Sequence, residues 1–292
     1  MSKVSVIIPV YNVEKYIERC ASSLFEQTFD DIEFVFVDDC SNDNSIKILQ
    51  NTIERYKIKD KVKIIHHKNN KGVAAARNTG LLNATGDYIG WVDADDWVKS
   101  NMFGSLYSSA FETDADVSCC DIEVINSISS YRLCRFHNFD LSNKTQLLQS
   151  YVESKWTYLF NILAKRSLYI RWNLKCIDVQ WNEDYYLSVM LLYYANKIIY
   201  VKDSLYCYNR TNAQSITNNT DFGIDDGGVK SFIEIINFFT SQNVIETYRK
   251  YIYWKILYLC QGTVLNVKEH KELLYNMDTF PKLREYIWSN PF

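Results

Sequence analysis

The sequence predicts an α/β fold in which a mainly parallel central sheet is covered by helices on both faces. Two observations lead to this fold class. Short apolar runs alternate with amphipathic helical patterns through the first hundred of the 292 residues. This β-α-β-α order is typical of parallel sheets with right-handed crossovers. After residue 96 the alternation ends, and the last quarter of the chain has a helical pattern with aromatic stripes and charged faces.

The strands of the first half are short, mostly apolar runs rich in Val, Ile and Phe, as expected for strands that are buried on both faces. They are predicted over 4–10, 32–37, 62–66 and 88–92. Between them, apolar residues recur at helical spacing. Helices are therefore predicted over 13–27, 44–56 and 72–84.

The second half has a less regular order of elements. Helices are predicted over 102–112, 145–152 and 182–195, and strands over 116–124, 132–136, 197–201 and 204–208. From about residue 225 the pattern is helical to the end. The segment 212–228 is rich in Asn, Thr, Asp and Gly, which favours a loop or linker. We therefore expect one domain over 1–215 and a helical extension over 216–292.

The composition argues against several classes of protein. The net charge of −3 does not suit a nucleic-acid-binding protein, for which a basic footprint is expected. The first apolar run is too short for a secretory signal, and no stretch reaches the roughly 18 apolar residues of a membrane-spanning helix. The eight cysteines show no metal-ligand spacing, and the adjacent Cys119 and Cys120 should face opposite sides of a strand. We therefore expect a cytoplasmic protein with reduced thiols.

Three carboxylates follow the apolar run 88–92, in the segment Val92-Asp93-Ala94-Asp95-Asp96. A strand that ends in acids places them at the C-terminal edge of the sheet, where open α/β folds bind ligands. Like charges this close raise one another's pKa unless a cation lies among them. The spacing therefore indicates a divalent cation that is bound by oxygen ligands and shared with a substrate phosphate. The alternative is a surface turn or a helix N-cap, where Asp is also common.

Two further strand ends carry side chains that suit a nucleobase. Pro9 forces the chain out of the sheet, so that Tyr11 lies on a loop where its ring can stack on a base. A Tyr packed on its own fold is the alternative. Asp39 follows a mostly apolar strand, and its carboxylate, which only accepts hydrogen bonds, suits the N3–H group of uracil. Asp38 and Asp43 are alternative caps of the following helix.

Gly72 and Arg77 lie at the start of the third predicted helix. Gly72 permits a positive φ or a close approach of the backbone to a ligand. Arg77 is a candidate partner for a donor phosphate or for the acids Asp93 and Asp95. The alternative for Arg77 is a structural salt bridge to the same acidic cluster.

The four histidines show no pairing that is typical of metal ligands. His66 and His67 are adjacent at the end of a predicted strand, so their side chains should face opposite ways and not share a metal ion. No catalytic role is expected for them.

Four segments carry a more specific signal together than any one of them carries alone. They are SVIIPVYN (5–12), VDDCSND (37–43), GVAAARNTG (72–80) and VDADD (92–96). In order and spacing they resemble the family 2 glycosyltransferases, enzymes of the GT-A (Rossmann-like) fold that use nucleotide-sugar donors. The resemblance covers roughly residues 3–100. The family usually has Gly where this chain has Cys40, a departure that should slightly reshape the turn.

The resemblance assigns nucleotide-sugar binding to residues 1–100. It implies that Tyr11 lies against the uracil, that Asp93 lies by the ribose, and that Asp95 binds Mn²⁺ or Mg²⁺ together with the donor diphosphate. Asp96 is implied either as a second metal ligand or as a group that supports the first. The other implied nucleotide-sugar-binding residues are Pro9, Asn12, Asp39, Gly72, Arg77 and Ala94.

In the second half, the segment WNEDYY (181–186) resembles the Glu-Asp pair that the family places at the start of a helix near the acceptor. The resemblance implies that Asp184 is the base that deprotonates the acceptor hydroxyl. Glu183 would then position the acceptor or the base. The alternative is an acidic pair that is favoured by the dipole of the helix.

The segment YNRTNAQSIT (208–217) resembles a stretch that closes over the donor in many members of the family. By this resemblance, Arg210 and Ser215 grip the diphosphate, and loop ordering excludes water. A plain surface loop is the alternative. Trp156 and Trp181 are candidate sugar-stacking residues, with burial in the core as their alternative.

The expected function is therefore that of a metal-dependent inverting glycosyltransferase. It would move a sugar from a UDP-sugar to a hydroxyl of a glycan or lipid-linked glycan, in the biosynthesis of a surface polysaccharide. Residues 101–215 would bind the acceptor. The alternatives are a nucleotidyltransferase that makes sugar nucleotides and a catalytically inactive carbohydrate-binding protein of the same fold.

The helical extension has three candidate partners: the inner face of the membrane, a second subunit of a homo-oligomer, or the catalytic domain. Apolar residues lie on several faces of the segment 248–267. This distribution favours packing against protein over a one-sided membrane helix.

Overall fold

The computed structural model describes residues 2–134, 140–153, 158–179, 183–212, 215 and 226–261. Over these residues the chain forms a mixed α/β fold, in which one large sheet has the strand order β3-β2-β1-β4-β8-β6-β9-β5, with β7 paired to β6. The predicted fold class is confirmed.

The first half contains four parallel strands and three helices. The strands are β1 (Val4–Val10), β2 (Ile32–Asp38), β3 (Val62–His66) and β4 (Tyr88–Trp91). The helices are α1 (Ile17–Phe25), α2 (Ser45–Tyr56) and α3 (Val73–Asn83). β1 pairs in parallel with both β2 and β4. The chain therefore adds β2 and β3 on one side of β1 and then returns to add β4 on the other side. Such a switch point opens a crevice at the C-terminal edge of the sheet.

The second half extends the sheet with both parallel and antiparallel pairs. Its strands are β5 (Trp97–Val98), β6 (Val117–Ile125), β7 (Ser130–Leu133), β8 (Ile162–Lys165) and β9 (Ile198–Asn209). Its helices are α4 (Met102–Thr113), α5 (Lys144–Glu153), α6 (Arg166–Arg171), α7 (Glu183–Tyr194), α8 (Asp226–Ser241) and α9 (Ile245–Gln261). β6 and β9 run parallel, whereas β8 is antiparallel to both β4 and β6.

The elements differ from the predicted ones in the second half. The two predicted strands 197–201 and 204–208 are one strand, β9, whose pairing with β6 shifts register near Asp121. Three short elements were not predicted from the sequence: β5, β8 and α6, which have only two, four and six residues. β7 lies at Ser130–Leu133 instead of 132–136, and residues 135 and 136 are outside the described part of the chain.

Two apolar layers cover the two faces of the sheet. In β1, Val6 belongs to one layer and its neighbour Ile7 to the other, as the alternation of a strand requires. Cys119 and Cys120 of β6 likewise lie in opposite layers, which confirms the prediction from their adjacency. α3 packs directly on β1, because a Cβ atom on Gly80 would lie 2.3 Å from Cγ2 of Ile7.

The described part of the helical extension packs against the preceding helices. α8 lies on α7, and α9 lies on α5. Phe232 and Phe239 of α8 and Tyr248 and Ile252 of α9 are buried in the same apolar layer as α7. The rings of Phe239 and Tyr248 stack with centroids 4.3 Å apart. Among the described helices, none combines the length and the apolar character that crossing a membrane requires.

A buried carboxylate connects strands at the edge of the sheet opposite the acidic cluster. Glu33 of β2 accepts hydrogen bonds from Ser5 Oγ at 2.5 Å and from the backbone N–H of Thr85 at 2.6 Å, and it pairs with Lys63. Burial alone would raise the pKa of Glu33, but the hydrogen bonds of Ser5, Lys63 and Thr85 lower the pKa to about 2. The ionised form of Glu33 therefore stabilises the fold.

Replacing Glu33 with Gln should lower the free energy of unfolding at pH 7 by about 2 kcal/mol, because charged hydrogen bonds are lost in a buried site. The folded pKa lies below that of the unfolded chain, so this stabilisation is full above pH 4.5 and declines as the pH falls towards 2. Urea denaturation at pH 7 and pH 4 measures both effects. The exposed Glu54→Gln is the control. An equal stability difference at the two pH values would contradict this account.

Candidate active site

The candidate site lies at the C-terminal edge of the first four strands. The loop after β1 carries Tyr11 and Asn12, the loop after β2 carries Asp39, and the acidic segment follows β4. The backbone leaves β1 at Val10, whose carbonyl still accepts the N–H of Asp39 at 2.9 Å. The strand ends that the sequence analysis singled out are therefore neighbours in space.

The loop after β1 exposes an aromatic ring beside a tight turn. Tyr11 is 45% exposed, so its ring is accessible from solvent. Asn12 has a φ of 51° and accepts the N–H of Asn42 at 2.8 Å through its side-chain oxygen. Cys40 has a φ of 66°, a left-handed conformation that Gly adopts without steric cost. The turn thus keeps the backbone shape suited to the Gly that the family usually has there.

Asp39 is a buried carboxylate that several donors hold in place. It is 3% exposed. Its Oδ1 accepts the N–H of Lys71 at 2.9 Å and lies 2.7 Å from Nδ1 of His67. Its Oδ2 accepts the N–H of Gly72 at 2.7 Å. Gly72 has a φ of 87°, and a Cβ atom there would meet nothing within 4 Å, so the space beside it is open.

Arg77 of α3 connects the two halves of the candidate site. The side chain is buried, and its Nη2 lies 2.6 Å from Oδ1 of Asp93, while Nη1 pairs with Glu183 of α7. Burial acts to lower the pKa of Arg77, but the nearby negative charges of Asp93 and Asp184 outweigh this effect and raise the pKa above its ordinary value. The guanidinium therefore stays charged. Asp93 and Glu183 are 90 positions apart in the sequence, and this cation brings them together. The contact with Asp93 was predicted, and the contact with Glu183 was not.

The two other acids of the cluster have different surroundings. Asp95 accepts a hydrogen bond from Nδ2 of Asn212 at 2.8 Å through Oδ2. Asp96 is fully buried, and both of its oxygens are occupied, Oδ2 by the hydroxyl of Tyr206 at 2.6 Å and Oδ1 by the N–H of Asn209 at 2.7 Å. Because Asp96 is fully buried and hydrogen-bonded through both oxygens, it is less suited to contact a metal ion than the partly exposed Asp95. It supports the loop instead.

Tyr206 and Asn209 of β9 hold the backbone of the acidic segment as well as Asp96. The hydroxyl of Tyr206 accepts the N–H of Asp93 at 3.1 Å, and Nδ2 of Asn209 donates to the carbonyl of Asp95 at 3.0 Å. The neighbouring Ala94 is buried. The end of β9 therefore fixes the shape of the segment 93–96.

Asp184 lies one residue into α7, close to Arg77 and Asp93. Burial raises the pKa of Asp184 to about 6, the positive charge of Arg77 opposes this, and the negative charge of Asp93 adds to it. The side chain is partly exposed, unlike that of the adjacent Glu183. A carboxylate with a pKa near the working pH is suited to general base catalysis.

Arg210 and Ser215 follow the end of β9. The N–H of Arg210 donates to the carbonyl of Ile125 at 2.8 Å, and the N–H of Ser215 donates to the carbonyl of Asn212 at 3.1 Å. Both residues are partly buried. The sequence places them close in the chain to Asn212, which contacts Asp95. Trp156 and Trp181, the candidate sugar-stacking residues, lie outside the described residues.

Comparison with known proteins identifies the family. Residues 5–168 match the family model described as glycosyl transferase family 2. The chain belongs to glycosyl transferase family 2. It is 33% identical over 220 residues to EpsJ, an uncharacterized glycosyltransferase of Bacillus subtilis (strain 168), and the aligned part covers 73% of this chain and 62% of EpsJ. The chain therefore spans less than two thirds of this relative's length.

Solved structures share the fold of this family 2 chain at low sequence identity. The structure of S. aureus TarS 1–349 in complex with UDP-GlcNAc matches with a TM-score of 0.74 and 22% identity, over 92% of this chain and 77% of that one. The mannosyltransferase PcManGT from Pyrobaculum calidifontis, in complex with GDP-Man and Mn²⁺, matches with a TM-score of 0.62 and 17% identity. The match covers 91% of this chain and 74% of PcManGT. These likenesses confirm the GT-A fold that the motifs predicted.

The acidic segment of this family 2 protein suits a divalent cation with few protein ligands. Burial raises the pKa of Asp95, and the charge of Asp93 raises it further, so that a cation near its carboxylate would relieve unfavourable negative charge. Within the described residues, no three His, Cys, Asp or Glu side chains are grouped so as to hold a metal ion. Mg²⁺ often takes one or two carboxylates and completes its coordination with substrate phosphates and water. Asp95 fits that pattern.

Several residues of the site were missed by the sequence analysis. Tyr206, Asn209 and Asn212 hold the acidic segment, and His67 contacts Asp39. His66 and His67 contact different aspartates, Asp38 and Asp39, and only His67 is buried. The segment that contains Arg210 was singled out for the diphosphate, yet the two asparagines in it were given no role. The one sequence feature that pointed to Asn209 and Asn212 was their position beside Arg210 in that segment.

Replacing Tyr206 with Phe should lower the free energy of unfolding by about 2 kcal/mol, because it leaves a buried oxygen of Asp96 and the N–H of Asp93 without a partner. The ring stack with Phe160, at 4.1 Å between centroids, is preserved. Urea denaturation measures the change. Tyr107→Phe is the matched control, because it also keeps ring contacts. Equal stability of the two variants would contradict the support role of the Tyr206 hydroxyl.

Proposed function

We propose that this protein is a metal-dependent inverting glycosyltransferase that moves a sugar from a UDP-sugar to a hydroxyl of a glycan acceptor. One observation carries the proposal: Arg77 brings the acid that ends β4, Asp93, together with Glu183 at the start of α7. This contact joins the half with the nucleotide-binding motifs to the half that is expected to bind the acceptor. The partly exposed Asp184 follows Glu183 directly, at the same place.

The donor base is proposed to be uracil. An ionised carboxylate offers about four acceptor positions, and Asp39 uses three of them, two on Oδ1 and one on Oδ2. One position on Oδ2 is left for a donor such as the N3–H of uracil, and the exposed ring of Tyr11 is available for stacking. TarS was solved with UDP-GlcNAc and PcManGT with GDP-Man, so the fold alone does not decide the base.

The diphosphate and the cation are proposed to lie beside Asp95. Asp95 would contribute the protein oxygen to Mn²⁺ or Mg²⁺, and Asp93 would lie near the ribose. Arg210 and Ser215 would contact the diphosphate from the loop after β9. When bound, the cation supplies positive charge that stabilises the departing nucleoside diphosphate. Asp96 is assigned a supporting role, in place of the direct metal contact that was one of the two expectations.

Asp184 is proposed to be the base. Inversion in one displacement requires a group that removes the proton of the acceptor hydroxyl as the hydroxyl attacks the anomeric carbon. Glu183 is paired with Arg77, so its role is to hold α7 and Asp184 at the site rather than to contact the acceptor directly. The proton passes from the acceptor oxygen to a carboxylate oxygen of Asp184.

Two other functions are compatible with an α/β fold of this kind. A nucleotidyltransferase usually holds the triphosphate with a Gly-rich loop after its first strand, whereas this chain has Val10-Tyr11-Asn12-Val13 there. An inactive carbohydrate-binding protein would not need a carboxylate with a raised pKa beside a buried cation, as Asp184 has. A place in surface polysaccharide biosynthesis, a lipid-linked acceptor, peripheral membrane contact at the inner face and a homo-oligomer stay predictions.

Calorimetric titration with UDP and GDP, with and without Mn²⁺, tests the donor and the cation. We expect UDP to bind more tightly than GDP, and Mn²⁺ to strengthen the binding of UDP. In Asp95→Asn the effect of Mn²⁺ should be lost, because a neutral amide binds divalent cations weakly. The control is Asp87→Asn, which changes an exposed acid beside Lys3 at the opposite edge of the sheet. Tighter binding of GDP, or an unchanged effect of Mn²⁺ in Asp95→Asn, would overturn these assignments.

Replacing Asp184 with Asn should reduce turnover by a factor of about 10²–10⁴, the usual contribution of a general base, with donor binding retained. In the unchanged protein, kcat/KM should fall as the pH drops below about 6, because protonation removes the base. Release of UDP measures turnover, with the exposed Asp178→Asn as the control. Near-normal turnover of Asp184→Asn would rule out this base.

A further inference from the structure

Two adjacent histidines at the end of β3 make the same kind of contact in different surroundings. Nδ1 of His66 lies 2.9 Å from Oδ2 of Asp38, and Nδ1 of His67 lies 2.7 Å from Oδ1 of Asp39. The side chain of His66 is 54% exposed, whereas that of His67 is 6% exposed. Only the second pair is in the interior, and its carboxylate is the one proposed to contact the base.

The ring of His67 is held from both sides. An ionised carboxylate only accepts hydrogen bonds, so Nδ1 donates to Asp39. On the other side of the ring, Nε2 lies 2.9 Å from Oγ1 of Thr79, which belongs to α3. The backbone N–H of His67 also donates to the carbonyl of Asp38 at 2.9 Å. With ring and backbone fixed, His67 cannot turn away from Asp39 without breaking a second contact.

This arrangement determines which oxygen of Asp39 is available to a ligand. His67 and the N–H of Lys71 both contact Oδ1, while Oδ2 has a single protein donor, the N–H of Gly72. The remaining acceptor position is therefore on Oδ2, beside the open space at Gly72. If the donor from His67 were absent, Oδ1 would also have a free position, and the carboxylate could rotate away from the base.

We propose that His67, held by Thr79, is a positioning residue that orients Asp39 and thereby sets the preference of the site for uracil over cytosine. Uracil carries a hydrogen on N3, whereas N3 of cytosine is an acceptor that an oriented carboxylate repels. The inference rests on the proposed function, in which Asp39 contacts the base. It gives a role to a residue that the reaction itself does not need. A site of this kind rejects an analogue because its buried polar group is left unpaired.

The test is the ratio of UDP to CDP affinity, measured by calorimetry in a set of folded variants. His67→Leu should weaken UDP binding about tenfold and reduce the UDP-to-CDP ratio by a similar factor. Thr79→Val removes one hydroxyl at almost constant shape and should reduce the ratio several-fold. His67→Asn, which retains an N–H near the position of Nδ1, and Thr79→Ser should restore most of the preference. His66→Leu, the adjacent exposed histidine, should leave it unchanged.

The ratio distinguishes positioning from a purely structural role, since loss of stability alone would weaken UDP and CDP equally. An unchanged ratio in both His67→Leu and Thr79→Val would overturn the inference. If His67→Leu does not fold, Thr79→Val decides alone. Asp39→Asn distinguishes the proposed contact between Asp39 and the base from the proposed role of His67. If it also keeps the preference for UDP, the proposed contact between Asp39 and the base is wrong. If it loses the preference while Thr79→Val retains it, only the role of His67 fails.

Discussion

The candidate site depends on the buried guanidinium of Arg77. A charge taken out of water is costly unless partners surround it, and Arg77 is surrounded by Asp93, Glu183 and the nearby Asp184. Removing one partner of such a group leaves an uncompensated charge, which is far more costly than the net worth of the pair. The chain therefore keeps the end of β4 and the start of α7 together. These are the two elements whose acids have separate proposed tasks.

The three neighbouring acids, Asp93, Asp95 and Asp96, have different hydrogen-bond and ion-pair partners. Asp93 is neutralised by Arg77, and Asp96 is buried with a hydroxyl and an N–H on its two oxygens. Asp95 accepts an amide hydrogen bond from Asn212. Burial and the neighbouring acids raise the pKa of both Asp95 and Asp96. Among the described residues Asp95 has neither the paired guanidinium of Asp93 nor the two buried donors of Asp96, so an external cation would stabilise the ionised form of Asp95.

The first half could be predicted from the sequence because local rules determine it. Each of β1, β2 and β4 is an apolar run whose end is marked by a Pro or an Asp, and parallel strands bring such ends to one edge. The second half could not be predicted as well. β5 and β8 are too short to show an alternation of apolar and polar residues. β9 contains the polar segment Lys202-Asp203-Ser204, where its pairing with β6 is irregular. Pairing with neighbours holds these strands together.

The same contrast explains which site residues were found. Asp93, Asp95 and Asp39 stand at strand ends and could be singled out from position alone. Tyr206 and Asn209 act across more than a hundred residues of sequence on Asp96. Nothing local separates them from the many other tyrosines and asparagines in this chain. Long-range support of this kind depends on the register of β9 against its neighbours, which one sequence does not determine.

His66 and His67 show how far a local rule extends. Alternation along a strand predicts that the two side chains face opposite ways, but it does not say which of them is buried. That depends on α3, which carries Thr79 to one side of the sheet and contacts His67 there. Two identical residues, each beside an aspartate, therefore have different surroundings. The direction of a side chain follows from the strand, whereas its role follows from the helix that packs against it.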